Sequence, residues 1–192
     1  KTGHRSLVTG YVSSDGKKKP VPSAPPTPID FPLTLQNAQR AALVYEQDPT
    51  IQSRSGTGVR VSISGPLSSG IKAYVELDDT KRVQWVVIRG TSNLVNIRSD
   101  VDYNKVVASR LRIPLPKGFA DAALQAYQFA KPLLKTDYET RVTGHSYGGA
   151  AAVLILMLVQ EEGDQLGGGL TVGWPKGTDS CGGRQLMNMP VA

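Results

Sequence analysis

Two stretches in the first half of the chain alternate hydrophobic with polar residues. Residues 59–63 have valine or isoleucine at every second position, and residues 71–77 repeat the alternation after a turn at Gly65-Pro66. A period of two predicts strands with one buried face. We therefore expect a pair of antiparallel strands near the edge of a sheet.

The hydrophobic pattern changes from Val83 onwards. Residues 83–88 are apolar at nearly every position, as in a central strand covered on both faces. Between residues 119 and 133, apolar residues recur at helical spacing. A short strand at 138–143, an apolar helix over 150–159 and a last strand near 169–173 follow. This order predicts an α/β fold, in which a mixed, mostly parallel sheet carries helices on both faces.

The N-terminal residues 1–32 have a different composition. Six of the thirteen prolines lie between Pro20 and Pro32, which favours an extended, polyproline-like backbone. We therefore divide the chain into an arm, 1–32, and an α/β domain, 33–192.

A first helix is expected directly after the arm. Thr34 is placed to cap it, and the helical pattern runs to about Glu46 before Asp48-Pro49. The predicted apolar face consists of Leu35, Ala38, Ala42 and Tyr45.

The formal net charge is +6, and three of the positive charges, Lys17, Lys18 and Lys19, lie in the arm. A solvated tail is the ordinary interpretation, and attraction to an anionic lipid surface is the alternative. No basic stripe interleaved with aromatic residues accompanies the charge, so no nucleic-acid partner is predicted. Cys181 is the single cysteine, and no His/Cys/Asp group has metal-ligand spacing. We predict no metal and no cofactor.

The chain begins with Lys1, and no stretch resembles a signal peptide. Its longest apolar run, 150–159, is about half of what a membrane span requires. We expect a processed or trimmed chain of undetermined compartment, with a secreted or periplasmic location favoured.

The candidate chemistry is concentrated in Gly144-His145-Ser146-Tyr147-Gly148. A predicted strand precedes this G-x-S-x-G motif and a predicted helix follows it, which is the context of a nucleophile elbow. Glycines at both flanks keep side chains out of a tight, strained turn. The serine hydroxyl then lies at a helix N-terminus, where free N–H groups can stabilise an oxyanion. Ser146 is therefore the candidate nucleophile, and a plain glycine-rich turn is the alternative.

Together with three other segments, the motif resembles the class 3, fungal-lipase-like hydrolases of the α/β-hydrolase fold. The similar segments, in family order, are VVIRGT at 86–91, NIRSD at 96–100, KGF at 117–119 and TGHSYGGA at 143–150. Gly173-Trp174-Pro175-Lys176 is similar to the family's turn after the next strand, so the resemblance covers roughly residues 34 to 180.

The resemblance implies a serine ester hydrolase that works through an acyl-serine intermediate. It implies that Ser146 is the nucleophile and that Thr91 and the backbone N–H of Tyr147 form the oxyanion hole. A strand-end threonine without a catalytic role is the alternative for Thr91. Residues 93–99 fit a mobile lid, and an ordinary surface helix fits them nearly as well. The apolar residues of this candidate lid are Leu94, Val95 and Ile97.

The rest of a catalytic triad is not recognisable. The two histidines are His4, in the arm, and His145, whose position beside the serine indicates a packing or hydrogen-bonding role. The downstream acid Asp179 does not match the family position, which places the triad aspartate beyond Ala192. We therefore expect a chain cut short before the triad Asp and His, with the C-terminal part of the sheet missing.

Three functions remain open at this stage. The first is a hydrolase of lipid or acyl esters, acting at a lipid–water interface. The second is a non-catalytic lipase-like protein that binds acyl chains or a membrane surface. The third is a basic-tailed interaction protein with a purely structural elbow. Acyl-chain length, head group and oligomeric state are not determined by the sequence.

Overall fold

The computed structural model describes residues 11–12, 18–19, 30–90, 105–107 and 114–172. The helices in these ranges are α1 (Phe31–Leu43), α2 (Asp48–Arg54), α3 (Lys117–Ala130), which continues into a 3-10 turn (Lys131–Leu133), and α4 (Tyr147–Glu161). The strands are β1 (Tyr11–Val12), β2 (Lys18–Lys19), β3 (Val59–Ile63), β4 (Lys72–Asp78), β5 (Val83–Arg89), β6 (Lys105–Val107), β7 (Pro114–Pro116), β8 (Glu139–His145) and β9 (Leu166–Val172).

The main sheet has the strand order β3-β4-β5-β8-β9. Strands β3, β4 and β5 are antiparallel neighbours, whereas β5, β8 and β9 are parallel. The sheet is therefore mixed, and the alternating pair β3–β4 lies on its edge side, as predicted. The pairs β1–β2 and β6–β7 form two small antiparallel sheets.

Helices cover both faces of the main sheet, which confirms the predicted α/β architecture. One core joins α3 and α4 to residues such as Val75, Ile88 and Val142. The other core joins residues near α1 and α2 to Tyr74 and Trp85. Strand β5 contributes to both cores because successive side chains of a strand point to opposite faces. None of the helices in the described ranges is long and apolar enough to cross a membrane.

Helix α1 differs from the sequence prediction in its start and in its buried face. Asp30 caps the helix, since its carboxylate accepts the N–H of Leu33 (2.9 Å), and the predicted cap, Thr34, lies inside the helix. The predicted apolar face was wrong: Leu35 is 59% exposed, and the buried helical residues are Asn37 and Ala41.

Polar contacts with the sheet explain this orientation of α1. The hydroxyl of Thr143, in β8, lies 3.2 Å from the carbonyl oxygen of Asn37. On the same helix, Arg40 pairs with Glu76 of β4 (2.5 Å), and its guanidinium lies 3.8 Å from the ring centroid of Trp85. Burial raises the pKa of the Glu76 carboxyl, and the bond from Arg40 opposes that shift. A hydrophobic-pattern argument cannot detect such contacts.

The core facing α4 should dominate stability. Leu156 of α4 has 0% of its surface exposed, whereas Leu124 of α3 is 47% exposed. Replacement of Leu156 by Ala leaves a cavity and should lower the free energy of unfolding by about 2–5 kcal/mol. Leu124→Ala, the matched control, should change it by less than about 1 kcal/mol. Urea titration followed by circular dichroism measures both, and equal losses would contradict the described burial.

Candidate active site

Ser146 lies at the turn between β8 and α4 in an unusual backbone conformation. Its φ is +54° and its ψ is −124°, and it is one of two non-glycine residues with positive φ in the described ranges. Non-glycine residues adopt such conformations at a cost and mainly where the surrounding structure enforces them. The serine is 8% exposed. This is the local geometry expected of a nucleophile elbow.

The two glycines of the motif make the turn sterically possible. A Cβ at Gly144 would lie 2.4 Å from the carbonyl oxygen of Gly148. A Cβ at Gly148 would lie 2.4 Å from the carbonyl oxygen of Ile88. These neighbours are backbone atoms of α4 and β5, which cannot move aside as a flexible side chain can. Glycine is therefore required at both positions.

Gly90 brings the end of β5 against the elbow. A Cβ there would lie 2.7 Å from the carbonyl oxygen of His145 and 3.3 Å from the Cβ of Ser146. The residues of the RGT and GHSYG segments that the structure describes are thus in contact. The ends of parallel strands β5 and β8 meet at this edge, which is where open α/β sheets place their ligands.

A polar network that the sequence analysis missed joins Tyr45 to this edge. The Tyr45 hydroxyl accepts the N–H of Gly90 (3.2 Å) and lies 2.9 Å from Nδ1 of His145. The two rings are in edge contact, with centroids 5.7 Å apart. Burial raises the pKa of Tyr45, while the bond from Gly90 and the charge of Arg89 oppose the rise. Tyr45 and His145 are 100 residues apart in sequence, so no local pattern connects them.

Tyr147 directs its side chain away from the elbow, into the core. Its hydroxyl donates to the carbonyl oxygen of Gly118 (2.5 Å), and its ring lies 5.1 Å from that of Phe119. Burial raises the pKa of Tyr147 to about 12. As the first residue of α4, Tyr147 has a backbone N–H with no acceptor inside the helix. Only this backbone group is placed to act at Ser146.

Several predicted site residues lie outside the described residues. They are the oxyanion candidate Thr91, the lid candidates Leu94, Val95 and Ile97, and His4 and Asp179. The structure brings together Gly144, His145, Ser146, Tyr147 and Gly148, and adds Gly90 and Tyr45. In the part of the chain that is described, no group of three His, Cys, Asp or Glu residues is arranged to hold a metal ion.

The chain matches the model of a known protein family. The family model for class 3 lipases matches residues 85–180. No curated protein matches the chain.

Solved structures of fungal lipases share the fold. The Lip2 lipase from Yarrowia lipolytica superposes with a TM-score of 0.64 at 21% identity, over 79% of this chain and 63% of Lip2. The triacylglyceride lipase of Rhizomucor miehei superposes with a TM-score of 0.71 at 19% identity, over 86% of this chain and 70% of that lipase. The lipase of Rhizopus microsporus var. chinensis superposes with a TM-score of 0.73 at 18% identity, over 99% of this chain and 74% of that lipase. The chain thus spans less than two thirds of the length of Lip2.

The glycine contacts can be tested with matched alanine variants. Gly148→Ala places a Cβ against the backbone of β5 and should lower the free energy of unfolding by about 1–3 kcal/mol or more. Gly65 has no atom within 4 Å of an added Cβ, so Gly65→Ala should stay within about 1 kcal/mol of the parent. Chemical denaturation compares the two, and a tolerated Gly148→Ala would argue against the described close approach.

The Tyr147 hydroxyl should stabilise the fold without taking part in chemistry. Tyr147→Phe removes the bond to Gly118 and should lower the free energy of unfolding by about 1 kcal/mol. Tyr74 is its control, because the buried Tyr74 hydroxyl has no hydrogen-bond partner among the described residues. Tyr74→Phe should be neutral or stabilising. Thermal melts compare the midpoint temperatures of the two variants. Equal changes in midpoint would contradict a stabilising role of the Tyr147 hydroxyl.

Proposed function

The chain belongs to the class 3 lipase family, and from this premise we propose that the protein is a serine ester hydrolase of the triacylglycerol lipase or carboxylesterase type. The proposal assigns the nucleophile to Ser146. Its main support is the backbone of that residue, which has φ +54° at the tight turn between β8 and the N-terminus of α4. Strained backbone conformations of this kind cluster at active sites.

In the proposed reaction, Ser146 Oγ attacks the carbonyl carbon of an ester. A bond forms between them, and the carbonyl π pair moves onto oxygen. The backbone N–H of Tyr147 and that of Thr91 are the proposed donors to this oxyanion. One such donor typically contributes about 3–4 kcal/mol to lowering the barrier. Collapse expels the alcohol and leaves an acyl-serine, which water hydrolyses.

A base must take the proton of Ser146 and return it to the departing alcohol. In α/β-hydrolases a histidine held by a carboxylate does this, and both follow the serine in sequence. The 192 residues contain no histidine after Ser146, and Nδ1 of His145 is bonded to Tyr45. The proposal therefore takes the acid and base from residues outside the 192.

The proposed substrates are lipid or acyl esters, met at a lipid–water interface. Leu94, Val95 and Ile97 are the apolar residues proposed to form a lid over the elbow. The relatives named above are lipases, which supports this substrate class.

A second candidate function is a non-catalytic lipase-like protein that binds acyl chains or a membrane surface. The bond between Nδ1 of His145 and Tyr45 favours it, because His145 is the histidine beside Ser146. Binding of a fatty acid without turnover would distinguish this function from hydrolysis.

Covalent labelling with a fluorophosphonate probe tests the proposal. We expect one adduct per chain, located on Ser146 by mass spectrometry and absent from Ser146→Ala. The probe should be applied to the 192-residue chain and to the same chain with any residues that follow Ala192 in its gene. Loss of the histidine base lowers serine reactivity by orders of magnitude, so the longer chain should react faster.

Ser55→Ala is the matched control for this labelling. Ser55 is buried like Ser146, but its hydroxyl donates to the carbonyl oxygen of Ile51 (2.8 Å). Its variant should be labelled as the parent is. If no form of the chain is labelled under conditions that label a known lipase, the hydrolase proposal fails and the binding function takes its place.

A further inference from the structure

Tyr45 forms hydrogen bonds with two segments of the candidate site, which its position in the sequence does not indicate. Tyr45 follows the C-terminus of α1, and its hydroxyl reaches the end of β5 and the end of β8 together. The pairing of β5 with β8 ends at Ile88 and Gly144, so Gly90 lies beyond the ladder. Its buried N–H would cost free energy without an acceptor, and the Tyr45 oxygen provides one.

Gly90 is held between Tyr45 and the nucleophile. A Cβ atom added at Gly90 would lie 2.9 Å from the Tyr45 hydroxyl oxygen, 2.7 Å from the carbonyl oxygen of His145 and 3.3 Å from the Cβ of Ser146. Gly90 has no side chain that could anchor it. Its position relative to Ser146 therefore depends on its backbone and on what the backbone contacts.

The Tyr45 oxygen takes part in two hydrogen bonds. It accepts from the N–H of Gly90 (3.2 Å), and it shares a proton with Nδ1 of His145 (2.9 Å), the direction of that bond following the tautomer of the histidine. Burial raises the pKa of Tyr45 above its ordinary value of 10.0. The phenol therefore keeps its proton throughout the neutral pH range.

We propose that Tyr45 is a positioning residue of the ester hydrolase site, which joins the end of β5 at Gly90 to the nucleophile elbow at His145. The proposal rests on the proposed function, because the position of these segments matters only if Ser146 reacts. Preorganised groups lose much of their effect when they shift: a misplacement of about 1 Å can cost about 100-fold in rate. In the proposed mechanism the peptide bond that follows Gly90 carries the N–H of Thr91.

Tyr45→Phe tests this role, because it removes both hydrogen bonds and keeps the ring. With a p-nitrophenyl butyrate substrate, and in the form of the chain that the fluorophosphonate probe labels faster, we expect kcat to fall by about 10-fold to 100-fold while KM changes by less than about 3-fold. This split is expected because a misplaced oxyanion site weakens transition-state binding more than ground-state binding. The rate of fluorophosphonate labelling at Ser146 should fall in parallel.

Tyr74→Phe is the matched control. It also removes one phenol oxygen, but that oxygen is buried and has no hydrogen-bond partner among the described residues, and Tyr74 belongs to the core that contains Val44 and Trp85. Its kcat and labelling rate should equal those of the parent. If Tyr45→Phe is indistinguishable from Tyr74→Phe, or if only KM rises, the positioning role is overturned.

A readout that does not need activity separates this proposal from the proposed function. In NMR spectra of the folded chain, Tyr45→Phe should accelerate hydrogen exchange of the Gly90 amide by at least about 5-fold and shift the Nδ1 resonance of His145. Tyr74→Phe should do neither. If the parent is inert towards the probe and these changes still occur, the hydrolase proposal fails while the contact stands. An unchanged Gly90 amide and His145 ring would overturn the positioning proposal, whatever the activity.

Discussion

The structure of the elbow depends on one steric constraint: three backbone segments meet with no space for a Cβ atom between them. The end of β5, the end of β8 and the first turn of α4 approach one another closely. A Cβ atom at residue 148 would clash with the carbonyl oxygen of Ile88. The same approach leaves the chain little freedom at Ser146, which takes a left-handed φ. A strained residue persists only when its surroundings enforce it, and here the surroundings are backbone atoms.

The two cores hold these three segments in place. Helix α4 is buried along nearly its whole length, so it cannot turn to relieve the contact at its N-terminus. Tyr147 adds a hydrogen bond to Gly118 and a ring contact with Phe119, which fasten the start of α4 to the start of α3. On the opposite face, Thr143 and Arg40 attach α1 to the sheet through polar contacts. Packing on both faces thus converts a glycine-rich motif into a rigid turn.

Tyr45 links the periphery of the domain to this turn. Its exposed position at the end of α1 would suggest a surface residue, yet its hydroxyl contacts Gly90 and His145. A single phenol can bridge the two segments because its oxygen can form more than one hydrogen bond. The motif histidine therefore serves as a partner of Tyr45 through its Nδ1 atom.

The sequence by itself determined the elements that rest on short-range patterns. Alternation at β3 and β4, the apolar run of β5, the helical spacing of α3 and the G-x-S-x-G motif before α4 each depend on neighbours within one or two turns of chain. Steric rules then fix glycine at 144 and 148, because the motif itself demands a tight turn.

Tertiary structure alone decided the orientation of α1 and the role of Tyr45. Leu35, Ala38, Ala42 and Tyr45 have the spacing of a buried face, but Asn37 and Ala41 face the sheet instead. The decisive contacts, Asn37 with Thr143 and Tyr45 with His145, join residues about 100 positions apart. Periodicity reports only which residues share a side of a helix. Which side meets the sheet is set by the partner surface, and that surface exists only after the chain has folded.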